Sequence, residues 1–327
     1  MITKITGHCL GTAGKSRRCK DKAGLKMKKL GVISAAVLAA ACISCNGSDG
    51  TVVSDRIGRQ VTINGTINRV VSTAPSNTEI IVDLGMAEKL IAVDVHSQNI
   101  GGIPEGTAFL DFFYPDAEAI LGLKPDIIIA NGHNATGSGE DPFRLLSEAG
   151  IPVVYISMSK SINDIYLDIE FIAGLLQAQK QGEDLIRKTK EEIAEITRPL
   201  ENIENPKTVY FEISPPPEMM SFGKDSFIDD MISTIGAKNI FGEDSWLVTP
   251  GAEAVINYNP DIILTSVSFI DNPIDEIKSR PGFDHINAVI NNRVYQIDND
   301  SSSRPSARVV LALRQMAGAV YPELYAR

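Results

Sequence analysis

Short and fully apolar runs recur along the chain, and amphipathic segments separate them. Such runs are typical of strands in a parallel sheet that is covered on both faces, because neither face of the strand meets water. Their alternation with helical patterns predicts an α/β fold with right-handed crossovers. The predicted strands lie at 69–73, 90–93, 126–130 and 153–157 in the first half and at 208–213, 261–265 and 294–298 in the second.

One element of the pattern occurs twice. Residues 117–130 read AEAILGLKPDIIIA and residues 252–265 read AEAVINYNPDIILT, so that seven of fourteen positions are identical. Each copy indicates a short helix, a Pro-Asp turn that ends it, and an apolar strand. The copies are too far apart for a solenoid, whose repeats follow each other at about 20–50 residues. The repeat therefore predicts one copy in each of two similar α/β lobes.

Between these halves, a helical pattern begins at the candidate cap Ser161 and continues to about Leu200. An unbroken helix of roughly forty residues would measure about 60 Å, which is long enough to connect two lobes. Gly174 and Gly182 are points at which it could break. The predicted divisions of the body are an N-terminal lobe at 56–158, a linking long helix at 159–203 and a C-terminal lobe at 204–327.

The start of the chain has a different composition. Two lysines precede an apolar run at 30–41, which is too short to cross a bilayer, because crossing takes about 20 residues. Small residues and cysteines follow at once. This order predicts a lipoprotein signal peptide at 27–45, with Cys42 or Cys45 as the lipidated residue. The polar residues 46–55 would form a flexible tether.

Residues 1–26 fit poorly in front of such a signal, and we interpret them as an over-extended start. The chain has 327 residues and a net charge of −10, but residues 1–45 hold nine basic residues and one acidic residue. The remaining 22 basic and 40 acidic residues give the body a charge of −18. So acidic a body argues against nucleic-acid binding, since a polyanion would be repelled. All four cysteines lie at or before position 45, which leaves the body without a disulfide framework.

Seven segments of the body together resemble the class III solute-binding proteins of bacterial ABC importers, which receive iron–siderophore complexes, haem and cobalamin. The resemblance implies two Rossmann-like lobes with central parallel sheets, joined by one long rigid α-helix, with the ligand held between them. The segments follow the order of the family: DRIGRQVTING (55–65), RVVSTAPSNTEIIVDLG (69–85), AEAILGLKPDIII (117–129), LLSEAGIPVVYI (145–156), SFIDDMISTIGAKNIF (226–241), AEAVINYNPDIIL (252–264) and RPSARVVLAL (304–313).

Glu118 and Glu253 occupy the same place in the two copies of the repeat. In the family, a glutamate at this position on each lobe contacts arginines of the membrane permease. The resemblance therefore implies that these two residues dock the protein onto its permease. The alternative is that each glutamate only stabilises the first turn of a helix through the helix dipole, by about 0.3–1 kcal/mol.

Candidates for ligand contact follow the predicted strands, since open α/β sheets bind ligands beyond the carboxyl ends of their strands. Ser76 and Asn77 open a helix whose free N–H groups could hold an oxygen, or they merely cap it. Phe112 matches the position of a family aromatic that stacks on cargo, or it simply packs in the core. Arg304 and Arg308 match an arginine that pairs with cargo, or they form an ordinary ion pair. The other candidates are Tyr114, His133, Met220, Phe222, Trp246 and Ser268, for which core filling or simple solvation is the alternative.

These features predict a lipid-anchored extracytoplasmic substrate-binding protein that captures an iron complex of the siderophore type. It is expected to be no enzyme and to carry no cofactor. Cobalamin and haem are alternatives, and haem is disfavoured because Asp-Phe-Phe-Tyr stands at 111–114 where haem-binding relatives have Gly-Tyr-x-Arg. Because Tyr114 lies in this stretch, haem remains an alternative ligand. The expected partners are the permease, a small-molecule metal complex and the membrane, reached through the lipid in the periplasm or outer cell envelope, and the protein is expected to be a monomer.

Two other function classes fit less well. A receptor for bare Zn or Mn needs several histidines with carboxylates, whereas the body has only His96, His133 and His285, and no His-rich loop. A surface hydrolase would be expected to carry Gly-x-Ser-x-Gly or His-Glu-x-x-His, neither of which is present. A Ser-His-Asp triad stays open, because it is recognised by geometry rather than by sequence.

Overall fold

The computed structural model describes residues 50–112, 115–132, 141–201 and 203–325. The strands are β1 (Thr51–Ser54), β2 (Gln60–Ile63), β3 (Val70–Ser72), β4 (Leu90–Asp94), β5 (Ala108–Leu110), β6 (Ile127–Asn131), β7 (Val153–Ile156), β8 (Thr208–Glu212), β9 (Ser221–Phe222), β10 (Lys238–Asn239), β11 (Leu247–Val248), β12 (Ile262–Thr265) and β13 (Val294–Gln296). The helices are α1 (Pro75–Asp83), α2 (Ala117–Gly122), α3 (Arg144–Glu148), α4 (Ile162–Leu175), α5 (Gln179–Thr197), α6 (Phe227–Thr234), α7 (Ala252–Tyr258), α8 (Pro273–Ser279), α9 (Asn287–Ile290), α10 (Asn299–Ser303), α11 (Val309–Val320) and α12 (Pro322–Tyr325). Short 3₁₀ helices lie at Ala87–Lys89, Val95–Ser97, Arg198–Leu200 and Phe283–His285.

Two parallel sheets carry the fold. The first has the strand order β5-β4-β3-β6-β7 and the second has the order β10-β8-β12-β13, and every pairing within them is parallel. The predicted α/β fold with parallel sheets is confirmed. All seven strands expected from the apolar runs are present, with ends shifted by two residues at most. The other strands are short or lie at edges, where the apolar pattern is weak.

The two copies of the repeat occupy equivalent places in the two sheets. Copy one forms α2 and β6, with β6 beside β3, whereas copy two forms α7 and β12, with β12 beside β8. The Asp126 carboxylate accepts hydrogen bonds from the N–H groups of Asn68 and Arg69, at 2.7 and 2.8 Å. The Asp261 carboxylate accepts them from the N–H and hydroxyl of Thr208, at 2.9 and 3.0 Å. Each Pro-Asp turn thus satisfies donors at the start of the neighbouring strand.

The segment predicted as one linking helix forms two helices instead, α4 and α5. They are separated at Gln177, whose φ of 58° lies in the left-handed region and cannot continue a helix. The second helix then packs back on the first: Lys190 Nζ lies 4.8 Å from the ring centre of Tyr166. A Cβ at Gly182 would lie 2.6 Å from the Cβ of Ala173. Gly182 therefore permits close approach of the two helices and does not break either.

The predicted tether is shorter than the composition suggested. Residues 51–54 form β1, which pairs with β2 in an antiparallel hairpin. The rest of the tether before residue 50, both candidate cysteines and the signal peptide lie outside the described residues. Across the part of the chain that the structure describes, no helix is both long and apolar enough to cross a membrane.

The apolar core is continuous between the two sheets. A single cluster contains Ile129 of the first sheet, Leu264 of the second, and Ile169 of α4, and each of these side chains is fully buried. Accordingly, Ser48–Arg327 forms one compact unit. Because close-packed interiors have few alternative arrangements, a large rotation of one sheet against the other would break this packing. The carboxyl ends of both sheets are thereby held in a defined relative position.

Candidate functional site

A cavity of about 470 Å³ lies where the carboxyl ends of the two sheets meet. Its wall contains residues that follow β3, β6 and β7 of the first sheet and β8, β12 and β13 of the second. Seven serines and three asparagines contribute to this wall, together with a group of apolar side chains. A second cavity of about 530 Å³ adjoins it and shares Ser76, Asn131, Asn299 and Ser303. The wall can therefore exchange hydrogen bonds with a ligand in both directions, since hydroxyls and amides both donate and accept.

Ser76 and Asn77 line the 470 Å³ cavity on the side of the first sheet. They lie in the first turn of α1, whose N-cap position is Ala74 and has no side-chain cap. The alternative, that Ser76 or Asn77 merely caps this helix, is therefore wrong. The Asn77 amide donates to the carbonyl of Ile129 at 3.4 Å, which fixes its orientation at the end of β6.

Phe222 and Trp246 line the cavity on the side of the second sheet. Their ring centres are 5.3 Å apart, and Trp246 is 38% exposed. The two residues lie on facing arms that are joined by the antiparallel pairing of β9 and β11. A Cβ at Gly223 would lie 2.3 Å from the carbonyl oxygen of Ser245, so the arms can approach each other only because position 223 is glycine.

Phe112 was expected to stack on cargo, and the structure corrects this expectation. Its side chain is 2% exposed, and its ring centre lies 6.1 Å from that of Phe143 in the core beside the first sheet. Of three adjacent aromatic residues, sequence alone could not tell which one faces inward. Tyr114 and His133 lie outside the described residues.

Two further candidates do not reach the cavity wall. Ser268 is exposed and lies outside it, while Ser266, two residues earlier and next to the end of β12, contributes to it. Met220 exchanges backbone hydrogen bonds with Ile213 and Ser214, at 3.0 and 3.1 Å. Its backbone thereby helps to hold the arm that carries Phe222, and Met220 does not contribute to the described cavity wall.

Arg304 and Arg308 were expected either to pair with cargo or to form an ordinary ion pair, and the structure shows ion pairs with a carboxylate of α1. Glu79 of α1, which is 2% exposed, accepts hydrogen bonds from Arg304 Nη1 at 3.1 Å and from the Ser306 hydroxyl at 2.6 Å. Arg308 Nη1 lies 3.8 Å from the same carboxylate. Arg304 also pairs with Asp300 at 2.7 Å, at the edge of the second cavity. These arginines therefore form an ion-pair network that connects the segment before α11 to α1.

Asp168 of α4 contributes to the wall of the 470 Å³ cavity and was missed by the sequence analysis. Its carboxylate is 1% exposed, 2.6 Å from Arg56 Nε and 2.9 Å from the Ser159 hydroxyl. Burial raises the pKa of Asp168 to about 6, although Arg56 and Ser159 both act to lower it. A signal was present in the sequence, since position 168 falls on the helix face of the buried Ile165 and Ile172.

The described residues do not form a cage for a bare metal ion, because they contain no group of three or more His, Cys, Asp or Glu side chains with suitable spacing. His96 lines the second cavity, and His285 lies at the surface beside Asp284. Within the described wall of the 470 Å³ cavity, Asp168 is the single ionisable side chain. The arrangement suits a largely neutral ligand that is held by hydrogen bonds and aromatic contact.

Glu118 and Glu253 lie in the first turns of α2 and α7, and both side chains are exposed. The two helix starts differ in their caps. Asp116 accepts hydrogen bonds from the N–H groups at the start of α2, at 3.0 Å, whereas Gly251 provides no side-chain cap for α7. The two glutamates thus occupy matched and accessible positions on the two halves.

Comparison with known proteins gives consistent results. The family profile described as periplasmic binding protein matches residues 70–301. The chain is 29% identical over 278 residues to an uncharacterized ABC transporter substrate-binding lipoprotein, YvrC of Bacillus subtilis strain 168, covering 84% of this chain and 86% of the relative. It is 25% identical over 254 residues to a vitamin B12-binding protein of Vibrio campbellii, covering 77% and 89%.

Solved structures have the same fold. A possible iron-binding, periplasmic solute-binding protein of Staphylococcus epidermidis superposes with a TM-score of 0.71 at 30% identity, covering 79% of this chain and all of that one. The periplasmic heme-binding protein RhuT of Roseiflexus sp. RS-1 superposes with a TM-score of 0.70 at 24% identity, covering 80% of this chain and all of that one. The second likeness concerns the fold alone.

Proposed function

The chain belongs to the periplasmic binding protein family, and we propose that it captures a metal chelate in the cavity between its sheets and delivers it to the permease of an ABC importer. Its relatives are non-enzymatic, extracytoplasmic components of such importers, of the type that binds iron complexes, haem or vitamin B12. The observation that carries the proposal is the wall of the 470 Å³ cavity, with its seven serines, three asparagines and paired aromatic rings.

A chelate fits this wall better than a bare metal ion does. A chelated metal brings its own ligands, so the protein has to recognise only the periphery of the complex. The hydroxyls and amides of the wall match polar groups such as amides and hydroxamates. Phe222, Trp246 and Met158 offer apolar contact to the rest of the molecule.

Within this class, we propose a ferric siderophore of the hydroxamate type. Three singly charged hydroxamates neutralise Fe³⁺, and the neutral complex suits a described wall without lysine or arginine. Arg304 and Arg308 are engaged by Glu79, which reduces their value for an anionic cargo. Haem, with two carboxylates, fits this wall less well.

Cobalamin is the second candidate. It is bulky and rich in amides, and curated relatives such as the Vibrio campbellii protein are named as vitamin B12-binding. A wall of serine and asparagine side chains could bond to such amides as well as to hydroxamates. Binding experiments with both ligands are therefore needed to distinguish a hydroxamate siderophore from cobalamin.

We further propose that Cys42 or Cys45 carries a lipid, that the short segment before β1 tethers the body to the membrane, and that the protein acts as a monomer. The order of basic, apolar, small and cysteine residues supports the anchor, and the relative YvrC is named a lipoprotein. Glu118 and Glu253 are proposed to dock on the permease, as two exposed carboxylates on matched helix starts. We also propose a division into lobes at 56–158 and 204–327, which the two separate parallel sheets support.

The proposal is tested by thermal unfolding of the purified protein with ferrichrome, cyanocobalamin, haemin, ZnCl₂ or MnCl₂. A bound ligand should stabilise the fold by RT ln(1 + [L]/Kd), which is about 2.7 kcal/mol at a hundredfold excess over Kd. We expect this from ferrichrome, and metal-free ferrichrome serves as the matched control. Stabilisation by ZnCl₂ or MnCl₂ alone, or hydrolysis of an ester panel without any ligand-induced stabilisation, would contradict it.

A further inference from the structure

The carboxylate of Asp168 is buried in the cavity wall, yet it keeps capacity for further hydrogen bonds. An ionised carboxylate offers about four acceptor sites. Among the described residues, Arg56 Nε donates to one oxygen, at 2.6 Å, and the Ser159 hydroxyl donates to the other, at 2.9 Å. Ser159 itself contributes to the same wall. A ligand in the cavity would therefore find an oriented acceptor at this point.

We propose that Asp168 and Ser159 form the subsite that accepts an N–H or O–H donor of the bound chelate, and that Arg56 is the positioning residue that keeps this carboxylate oriented and charged. This inference depends on the proposed function of the cavity. It adds a donor requirement to the ligand: an amide, ammonium or hydroxyl group on the periphery of the chelate. Such a hydrogen bond to a buried charged acceptor is among the stronger kinds.

Arg56 connects this subsite to the beginning of the described chain. It lies in the turn between β1 and β2, where the Asp55 carboxylate accepts hydrogen bonds from the N–H groups of Arg59 and Tyr155, at 2.7 and 3.2 Å. The N–H of Arg56 donates to the carbonyl of Tyr155 at 3.0 Å. The turn is thereby fixed to the end of β7, and the hairpin that follows the predicted tether contributes to the ligand site.

The alternative is that the Arg56–Asp168 pair serves only to stabilise the fold. A buried ion pair contributes little to folding, because desolvation offsets the attraction. Burial raises the pKa of Asp168 to about 6, above the value of 3.8 that the group has when unfolded. The folded state therefore holds the proton more tightly, and stability falls as pH rises from about 4 to about 6. At neutral pH, the ionised form of Asp168 therefore costs stability relative to the protonated form.

The same pKa predicts how ligand affinity depends on pH. The donor of the chelate needs an ionised carboxylate, so affinity is full above about pH 6 and falls as pH is lowered through it. The other groups that face Asp168 are Arg56 and Ser159, which lower its pKa, and Asp164 on the same helix, which raises it. Removal of Arg56 should therefore move the midpoint of this dependence to higher pH.

The test measures the affinity of the full chain for ferrichrome and for cyanocobalamin between about pH 5 and pH 8. Asp168→Asn should weaken binding roughly ten- to hundredfold at pH 7.5 and remove the pH dependence, and the thermal midpoint of the variant is measured in parallel. Arg56→Gln should shift the pH midpoint upward, and Arg56→Lys should keep it near that of the unsubstituted protein.

Arg59→Gln is the matched control, because Arg59 lies in the same turn but contacts Asp141 and the Tyr155 ring. It should leave the pH midpoint unchanged. If the unsubstituted protein binds neither chelate, the proposed function fails and the subsite fails with it. If a chelate binds and Asp168→Asn binds it equally well, or loses affinity only in proportion to lost stability, the subsite is refuted while the proposed function stands.

Discussion

The loops that precede the two repeat helices place an aromatic residue at nearly the same distance from the helix start, but they use it differently. Before α2, Phe112 is 2% exposed and packs on Phe143. Before α7, Trp246 is 38% exposed and contributes to the cavity wall beside Phe222. The helices, strands and Pro-Asp turns of the two copies match, whereas the loops around them do not. The duplicated scaffold therefore does not decide which side chains meet the ligand.

The surroundings of each loop explain the difference. Phe112 follows β5, an edge strand of the main sheet, and the core beside that sheet contains Phe143 and Tyr155 to receive its ring. Trp246 precedes β11, which pairs only with β9 in a small sheet outside the main one. Phe222 of β9 and Trp246 both line the cavity. The indole consequently stays at the cavity wall.

The paired glutamates are the feature in which the two halves remain alike, and their removal should have the largest effect. The double variant Glu118→Ala, Glu253→Ala should abolish uptake of the chelate by cells while its affinity for the purified protein is unchanged. Two exposed glutamates elsewhere in the two halves, Glu105 and Glu243, provide the matched double control. A loss of affinity in the first double variant would place these residues in the ligand site instead.

Phe112→Ala tests the buried side of the comparison. Removal of a fully buried phenylalanine should lower the free energy of unfolding by about 3–5 kcal/mol, as measured by chemical denaturation. The affinity of the folded protein for ferrichrome should be nearly unchanged. If instead affinity falls while stability is kept, Phe112 contacts cargo and the two loops are equivalent after all.

Trp246→Ala tests the loop whose aromatic residue lies at the cavity wall. Loss of the indole from the cavity wall should weaken ligand binding by about 2 kcal/mol, a roughly thirtyfold increase in Kd, as measured by titration calorimetry. Stability should fall much less than in Phe112→Ala, because the ring is partly exposed. Trp246→Phe is the conservative control and should retain most of the affinity. An unchanged Kd in Trp246→Ala would remove this residue from the site.

The smallest effect concerns the Pro-Asp turns. Asp261→Ala should cost about 1–2 kcal/mol of unfolding free energy, because it leaves partly buried donors of Thr208 without a partner. Asp126→Ala should cost about 0.5–1 kcal/mol, since water can replace the carboxylate at the exposed donors of Asn68 and Arg69. Equal losses, measured by denaturation, would show that exposure does not distinguish the two turns.

Sequence reasoning found the strands but misjudged several side chains, because a local pattern shows burial within a strand and does not show what covers a side chain in a loop. The apolar runs predicted seven strands, because burial on both faces leaves a mark within each run. Phe222 and Trp246 were selected and line the cavity, whereas Phe112 and Ser268 were selected and do not. An aromatic residue in a loop has the same local pattern whether a core layer or a ligand covers it.

The long-range polar contacts were beyond any local pattern. Arg304 and Glu79 are separated by 225 residues in the chain, and the carboxylate that engages the arginine could not be inferred from the sequence around it. Asp168 carried only a weak signal, an acidic residue on an apolar helix face. Its importance came from Arg56, which lies 112 residues earlier.

The sequence by itself determined the alternation of strands and helices, the equivalence of the two repeat copies and the acidic character of the body, because each depends on neighbours within a few residues or on composition. Only the tertiary structure decided which polar groups face the cavity, which arginines are engaged and where the linking segment turns back. A cavity formed by six strand ends from two sheets depends on distances between residues far apart in the chain, and no periodicity along the chain contains those distances.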